Sequence, residues 1–141
     1  MSRITNPVFT ILVVCLAEVL LPAGANASCG AIAISNSGRW FSTWDRSSCD
    51  DALSHVTSQC ESQSEGNCNS GSSDDWVAAI RCVSFYSDGS TRQQWAIVGT
   101  GNDSKSAIRA AYDIGSQNFK KSECRLVALV EGDGAHLKLK D

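Results

Sequence analysis

Cysteine, histidine and aspartate are the residue types with which this chain of 141 residues could do chemistry, and their spacing restricts what that chemistry is. Cys15 sits in an apolar N-terminal run. The remaining cysteines, Cys29, Cys49, Cys60, Cys68, Cys82 and Cys124, are spread over the rest of the chain. No C-x2-C pair occurs, and His55 and His136 are the two histidines, so a zinc site lacks its ligands. An even set in a small exported domain reads instead as a disulfide framework, and spacing alone leaves the pairing open.

Such a framework consumes every thiolate that a cysteine nucleophile would need. His55 falls one residue before an apolar helix position, where a solvated side chain is expected, and His136 lies in the tail. No serine sits in a G-x-S-x-G elbow. Gly99-Thr100-Gly101 is a strand-end turn rather than a phosphate-cradling G-x-G-x-x-G. Asp45, Asp50, Asp51, Asp74 and Asp75 are carboxylates of the kind that hydrolyse glycans in pairs. Asp50 and Asp51 are better explained at a helix start, and Asp74-Asp75 as loop solubility. Asn102-Asp103-Ser104 matches a glycosylation sequon, but an N-cap explains it equally well. No catalytic, metal-binding or cofactor-binding set is therefore expected.

The N-terminus points to a compartment. Arg3 precedes a mostly apolar run from Val8 to Leu21, broken by Pro22-Ala23-Gly24 and followed by the small-x-small pattern Ala25-Asn26-Ala27. This pattern predicts a signal peptide over residues 1–27, cleaved between Ala27 and Ser28. The run is short for a membrane anchor and Glu18 interrupts it. Val14 stands where lipid attachment at Cys15 would need a small residue. The expected product is a secreted or periplasmic chain with no membrane association after cleavage. The leader carries Arg3 and Glu18, one of the 12 basic and one of the 15 acidic residues, so the net charge stays at −3. An acidic balance with scattered lysines argues against nucleic acid as a partner, because phosphate binding needs a basic face.

Residues 28–141 read as a single domain with an internal duplication, 29–80 and 82–130, and a tail from 131 to 141. Cys29-Gly30-Ala31-Ile32-Ala33-Ile34 opens the first unit and Cys82-Val83-Ser84-Phe85-Tyr86 the second. Polar turns follow at Asn36-Ser37-Gly38 and Asp88-Gly89-Ser90, then strands opening at Trp40 and Trp95. A common offset then matches Trp40 with Trp95, Ala52 with Ala107, Leu53 with Ile108 and Val56 with Ala111. These positions recur near the helical period. Apolar strands close the units at Trp76–Ile80 and Leu126–Val130. Ser48 with Asp51 fits a capping box for the first helix, and Asn102-Asp103-Ser104 offers caps to the second. Each unit thus reads strand, strand, helix, strand. The expected class is α+β: two tandem ββαβ units whose antiparallel sheet is packed by two helices and stabilised by disulfides.

Three stretches are less regular. Residues 61–75, serine- and glycine-rich with almost nothing apolar, read as a mobile surface loop that Cys68 ties down. Trp40 and Trp44 share one face of their strand, which fits core packing or a solvent-facing binding patch. The tail alternates Leu137-Lys138-Leu139-Lys140 and is compatible with an edge strand or with disorder.

Cys-Gly-Ala-Ile-Ala at 29–33, the hairpin to Trp40, the helix closed by Cys60 and Cys-Arg-Leu-Val-Ala-Leu-Val at 124–130 resemble a family of exported bacterial proteins designated domain of unknown function 4189. The resemblance covers residues 29–130. It implies a pairing between the cysteine that ends the helix and the one that opens the next strand, here Cys60 with Cys68. The second unit departs from this, since Gly115 stands where its helix-end cysteine would be. Cys49–Cys124 and Cys29–Cys82 are the expected compensating pairs.

The functional expectation is a binding module that recognises another protein, such as a periplasmic inhibitor or immunity protein, rather than an enzyme. A secreted effector or virulence factor acting on a host and a small periplasmic hydrolase are the alternatives. The surface expected to bind is the 61–75 loop with Trp44, Asp74, Asp75 and Trp76 at its base, because loops on rigid scaffolds carry function. Deletion of residues 62–74 is expected to leave the fold intact and to abolish partner capture.

Overall fold

The computed structural model describes residues 28–64 and 67–134, together with the backbone of 136–138. The leader expected over 1–27 lies outside the described residues. The chain runs β1 (Cys29–Ser35), β2 (Trp40–Arg46), α1 (Cys49–Gln63), β3 (Cys68–Ser73), β4 (Trp76–Phe85), β5 (Thr91–Gly101), α2 (Ser104–Gly115), β6 (Cys124–Glu131) and β7 (His136–Lys138). This is the α+β arrangement of two successive ββαβ units, with β7 added at one edge.

The strands divide into two antiparallel sheets, ordered β2-β1-β3 and β5-β4-β6-β7. Strand alternation explains why. On β1, Ile32 and Ile34 point to one side and join Val77, Ala79, Ala96, Val127, Ala128 and Val130 of the second sheet in one buried cluster. Ala31 and Ala33 point to the other side and pack with Ala52, Val56 and Cys60 of α1. On β4, Val77 and Ala79 face the first sheet, whereas Ala78, Ile80 and Cys82 face α2. The domain is therefore four layers: helix, sheet, sheet, helix. A single sheet with helices on one face would leave Ile32, Ile34 and Val77 in water, at a cost of about 1.5–3 kcal/mol each.

The helices follow the shared offset closely. α1 buries Ala52, Val56 and Cys60, and α2 buries Ala107, Ala111 and Gly115. The Ser48 side chain accepts the Asp51 N–H at 3.1 Å. The Asp51 carboxylate lies 3.5 Å from Arg46. Asp103 and Ser106 form the complete reciprocal box, with Ser106 N–H donating to Asp103 at 2.7 Å and Asp103 N–H donating to Ser106 Oγ at 3.1 Å. His55 is exposed, as its helix position implies.

Three expectations about the strands need correction. Trp76–Ile80 and Cys82–Tyr86 are not separate strands flanking a unit boundary. Residues 76–85 form one strand, β4, the first of the second unit. Its Trp76–Ile80 half pairs with Leu126 to Glu131 rather than occupying the equivalent place in the other unit. The units are thus 29–73 and 76–131. Trp95 lies in the middle of β5 rather than at its start. The stretch 61–75 contains the end of α1 and all of β3, which pairs with β1 from Gly30↔Ser73 to Ser35↔Cys68. Its serines and glycines suit that place because β3 lies close over the second sheet: a Cβ on Gly71 would stand 2.8 Å from Val98 Cγ1. Deleting it would remove a strand of the first sheet.

Cys60 pairs with Cys68, joining the end of α1 to the start of β3. Cys29 pairs with Cys49 and Cys82 with Cys124, in place of the expected Cys29–Cys82 and Cys49–Cys124. Layering dictates this. Cys29 faces α1 and Cys82 faces α2, so two sheets separate them. Cys124 lies directly across from Cys82 in the β4–β6 register. Gly115, in the position equivalent to Cys60, leaves the room that this bridge occupies, since a Cβ there would sit 3.1 Å from Cys82 Sγ.

α2 approaches β5 at Gly99, where a Cβ would collide with Ala111 N and lie 2.7 Å from Ala107 O. These are backbone atoms and cannot rotate away. Gly99→Ala is expected to cost on the order of 2–4 kcal/mol, read as a lower midpoint in urea unfolding of the oxidised protein. Gly89→Ala is the control: φ is +84° but no atom lies within 4 Å of the added Cβ, so the cost is about 1 kcal/mol.

Candidate functional site

One end of the sandwich gathers acidic residues around an exposed tryptophan. Four segments meet there: the residue before β1, the end of β2, the β3–β4 connection and the turn after β6. The backbone of Gly132 joins them. Asp45 N–H donates to Gly132 O at 3.0 Å, and Gly132 N–H donates to Asp75 O at 2.8 Å. Asp45 has φ +53°, the one described non-glycine residue with positive φ. That conformation disfavours most L-residues but is tolerated by aspartate. Ser28 Oγ donates to the Asp45 carboxylate at 3.0 Å, and Asp75 N–H donates to Ser73 Oγ at 3.0 Å.

Trp44 is 40 % exposed, and its indole lies against Gly134, where a Cβ would stand 2.9 Å from Trp44 Cδ1. Asp45, Asp74, Asp75 and Asp133 are exposed in the same region. Glu131 completes the group. Partial burial pushes its carboxyl above the usual value, and the nearby charges of Asp133 and Asp75 push it in the same direction. The end therefore gathers five carboxylates beside an exposed indole.

The expected surface is thus brought together in part. Trp44, Asp74 and Asp75 share this end. Trp76 does not join them. Its side chain turns to the other face of the second sheet and packs with Ala78, Ala107 and Leu129 beneath α2. Trp40 packs against the core between the sheets. Asp45 was noted in the sequence only among the carboxylates of the first unit, and Glu131 and Asp133 were not singled out. The only signal for Glu131 and Asp133 is turn chemistry: Glu131-Gly132-Asp133-Gly134 is a turn that brings β6 back as β7. The tail is thus an edge strand over His136–Lys138.

Among the described residues, no group of three or more His, Cys, Asp or Glu could hold a metal ion. No helix among them is long and apolar enough to cross a membrane. Fold and site together define a disulfide-braced four-layer domain with an acidic, tryptophan-bearing end. Comparison with family models, curated proteins and solved structures finds no match to this chain.

Because Glu131 has a raised folded-state pKa, its charge opposes folding at neutral pH. That penalty is relieved as pH falls through the raised value toward the ordinary 4.5. Asp88 and Asp103 behave oppositely. Hydrogen bonds from Ser90 and Ser106 hold them below 3.8, so the stability they contribute is lost only as pH falls through that region. As pH falls from neutral toward 4.5 the Glu131 penalty is therefore relieved before the contributions of Asp88 and Asp103 are lost. Glu131→Gln is expected to raise the melting temperature at pH 7 and to shrink the relief seen as pH is lowered to 4.5, measured by calorimetry. An unchanged pH dependence would remove Glu131 as its source.

Proposed function

We propose that this chain is an exported binding module that captures another protein through the acidic end around Trp44. An inhibitor or immunity protein acting on a basic secreted enzyme is the form that fits best. The observation that carries the reading is the half-exposed Trp44 set among Asp45, Asp74, Asp75, Glu131 and Asp133 on a backbone held by Gly132. Tryptophan is the residue type most enriched at energetic centres of protein interfaces. A ring of like charge steers a basic partner and speeds encounter. A braced scaffold loses little entropy on binding. Export is supported by the leader pattern of residues 1–27 and by three disulfides, which persist in oxidising compartments. Membership of the exported bacterial family that the sequence resembles is part of the same proposal.

The test is capture from periplasmic extract or culture medium by the immobilised oxidised protein, with bound proteins identified by mass spectrometry. One stoichiometric basic partner is expected. Trp44→Ala should weaken its capture by about tenfold or more. Asp75→Lys with Asp133→Lys should slow association and flatten its salt dependence. Capture unaltered by all three changes would move the binding surface elsewhere.

A further inference from the structure

α2 does not cover its sheet as α1 does. α1 rests on β1, β2 and β3 alike, whereas α2 rests on β5 and β4 and only grazes β6. The close approach at Gly99 draws α2 toward β5, and a step is left between its other flank and the start of β6. That step is a groove of about 550 Å³ whose lining includes Lys105, Ile108, Arg109, Tyr112, Lys121 and Cys124. We propose that this groove binds a small amphiphilic anion, a carboxylate or phosphate carried on an apolar body, with Lys105, Arg109 and Lys121 around the headgroup.

The first observation is a difference between the two units. The offset that matches Ala52 with Ala107 places Asp50 and Ser54 at the positions of Lys105 and Arg109, and Thr57 at that of Tyr112. In the first unit β3 closes against α1, and Thr57 Oγ1 donates to Ser70 Oγ on β3 at 2.9 Å. In the second unit β6 stands off from α2. Tyr112 spans the gap at one point, its hydroxyl donating to Cys124 O at 3.4 Å. The repeated fold therefore requires neither the open step nor its cations.

The second observation is the charge of the lining. Lys105 and Arg109 stand one helical turn apart on α2, where like charges destabilise a helix. Asp113 follows a turn further on. An acid placed C-terminal to its base is the weaker order, and among the described residues no ion pair joins Asp113 to Arg109. Lys105 neighbours the N-cap Asp103, whose carboxylate already accepts the Ser106 N–H. Among the described residues no hydrogen bond or ion pair holds the side chains of Lys105, Arg109 or Lys121, and all three are exposed. The lining thus sets three cations against one carboxylate in a chain whose net charge is −3. An anion among them relieves the repulsion between Lys105 and Arg109 and gives their N–H groups a charged acceptor.

The third observation is the floor. Ile108 and Tyr112, also one turn apart, are half-buried. Ile108 packs on the cluster of Ala78, Ala107 and Leu129, and Tyr112 on that of Ile80, Ala111 and Phe119. Both are therefore fixed along their inner edges and offer the remaining surface to the groove. An apolar floor with a few charged groups at its rim is the make-up of a small-ligand site, and the volume lies in the range of such sites. Asp113 interrupts the basic row, which suits a single headgroup rather than a run of phosphates.

The experiment is a titration of the oxidised protein, followed by amide and methyl resonances in NMR. The probes are decanoate, decyl phosphate and, as the uncharged control, decanol. Saturable shifts centred on Lys105, Ile108, Tyr112 and Lys121 with either anion, and weaker ones with decanol, are expected. Response to decanoate alone assigns a carboxylate ligand, and to decyl phosphate alone a phosphoryl ligand. Lys105→Gln, Arg109→Gln and Lys121→Gln should each weaken binding about threefold, and the triple variant by more than about tenfold. The three side chains are exposed, so the melting temperature should not fall, which separates lost binding from lost fold. Arg92 is an exposed cation on β5 outside the groove, and Arg92→Gln should leave binding unchanged. No saturable shift with either anion, equal binding of decanol, undiminished binding by the triple variant, or an equal loss with Arg92→Gln would each overturn the proposal. The Trp44 end is not involved, so Trp44→Ala leaves these shifts in place whatever becomes of protein capture.

Discussion

Burial of both faces of β1 and β4 is the constraint on which the rest of the structure depends. Each of these strands lies at the centre of its ββαβ unit, with a helix on one side and the opposite sheet on the other. Small residues face the helices on β1, where Ala31 and Ala33 meet Ala52 and Val56. Larger ones, Ile32 and Ile34, fill the space between the sheets. Where backbone must approach backbone most closely, at Gly99 beneath α2, the side chain is absent altogether. Helix, sheet, sheet and helix follow from this allocation of volumes.

The two sheets are also joined by polar chemistry at an edge. β5 is the outer strand of its sheet, so half of its backbone groups face away from β4. At Ala96 both are met by asparagines from the first unit: Asn69 Nδ2 donates to Ala96 O, and Ala96 N–H donates to Asn36 Oδ1 at 3.2 Å. Two side chains thus do what a neighbouring strand would do, and the edge is closed to further pairing at that point. Asn36 and Asn69 read in the sequence as turn and loop residues. Nothing in their spacing indicated that they meet the same residue, because that contact exists only once the sheets are stacked.

Much of the fold was legible because helix and strand periods are local. The offset that aligns Ala52 with Ala107 and Val56 with Ala111 picks out the buried stripes of both helices. Cys60–Cys68 was legible from a resemblance rather than from spacing. What was not legible is long-range. A run of ten residues from Trp76 to Phe85 contains a charge at Arg81 and reads as two short strands, although the charge is accommodated beneath Gly38 with a hydrogen bond to Gln94. β3 has no apolar pattern because glycine and serine are what close sheet packing admits. At the acidic end, Trp44 and Asp75 were visible as residue types, but Asp45, Glu131 and Asp133 converge only through the hydrogen bonds of Gly132. Trp76 shows the reverse: a conspicuous aromatic beside two aspartates whose strand parity sends it to the helix side.

The connectivity of the sulfurs bears on how the chain matures. Both bridges of the first unit, Cys29–Cys49 and Cys60–Cys68, close within residues 29–68, and Cys82–Cys124 closes within the second. Among the described residues, no disulfide crosses between the halves. A polypeptide emerging from its N-terminus can therefore oxidise one half completely before the next cysteine arrives. Each half is thus covalently complete by itself, and the two are held to one another by packing, with Ile32 and Ile34 of one against Val77, Ala79 and Val130 of the other.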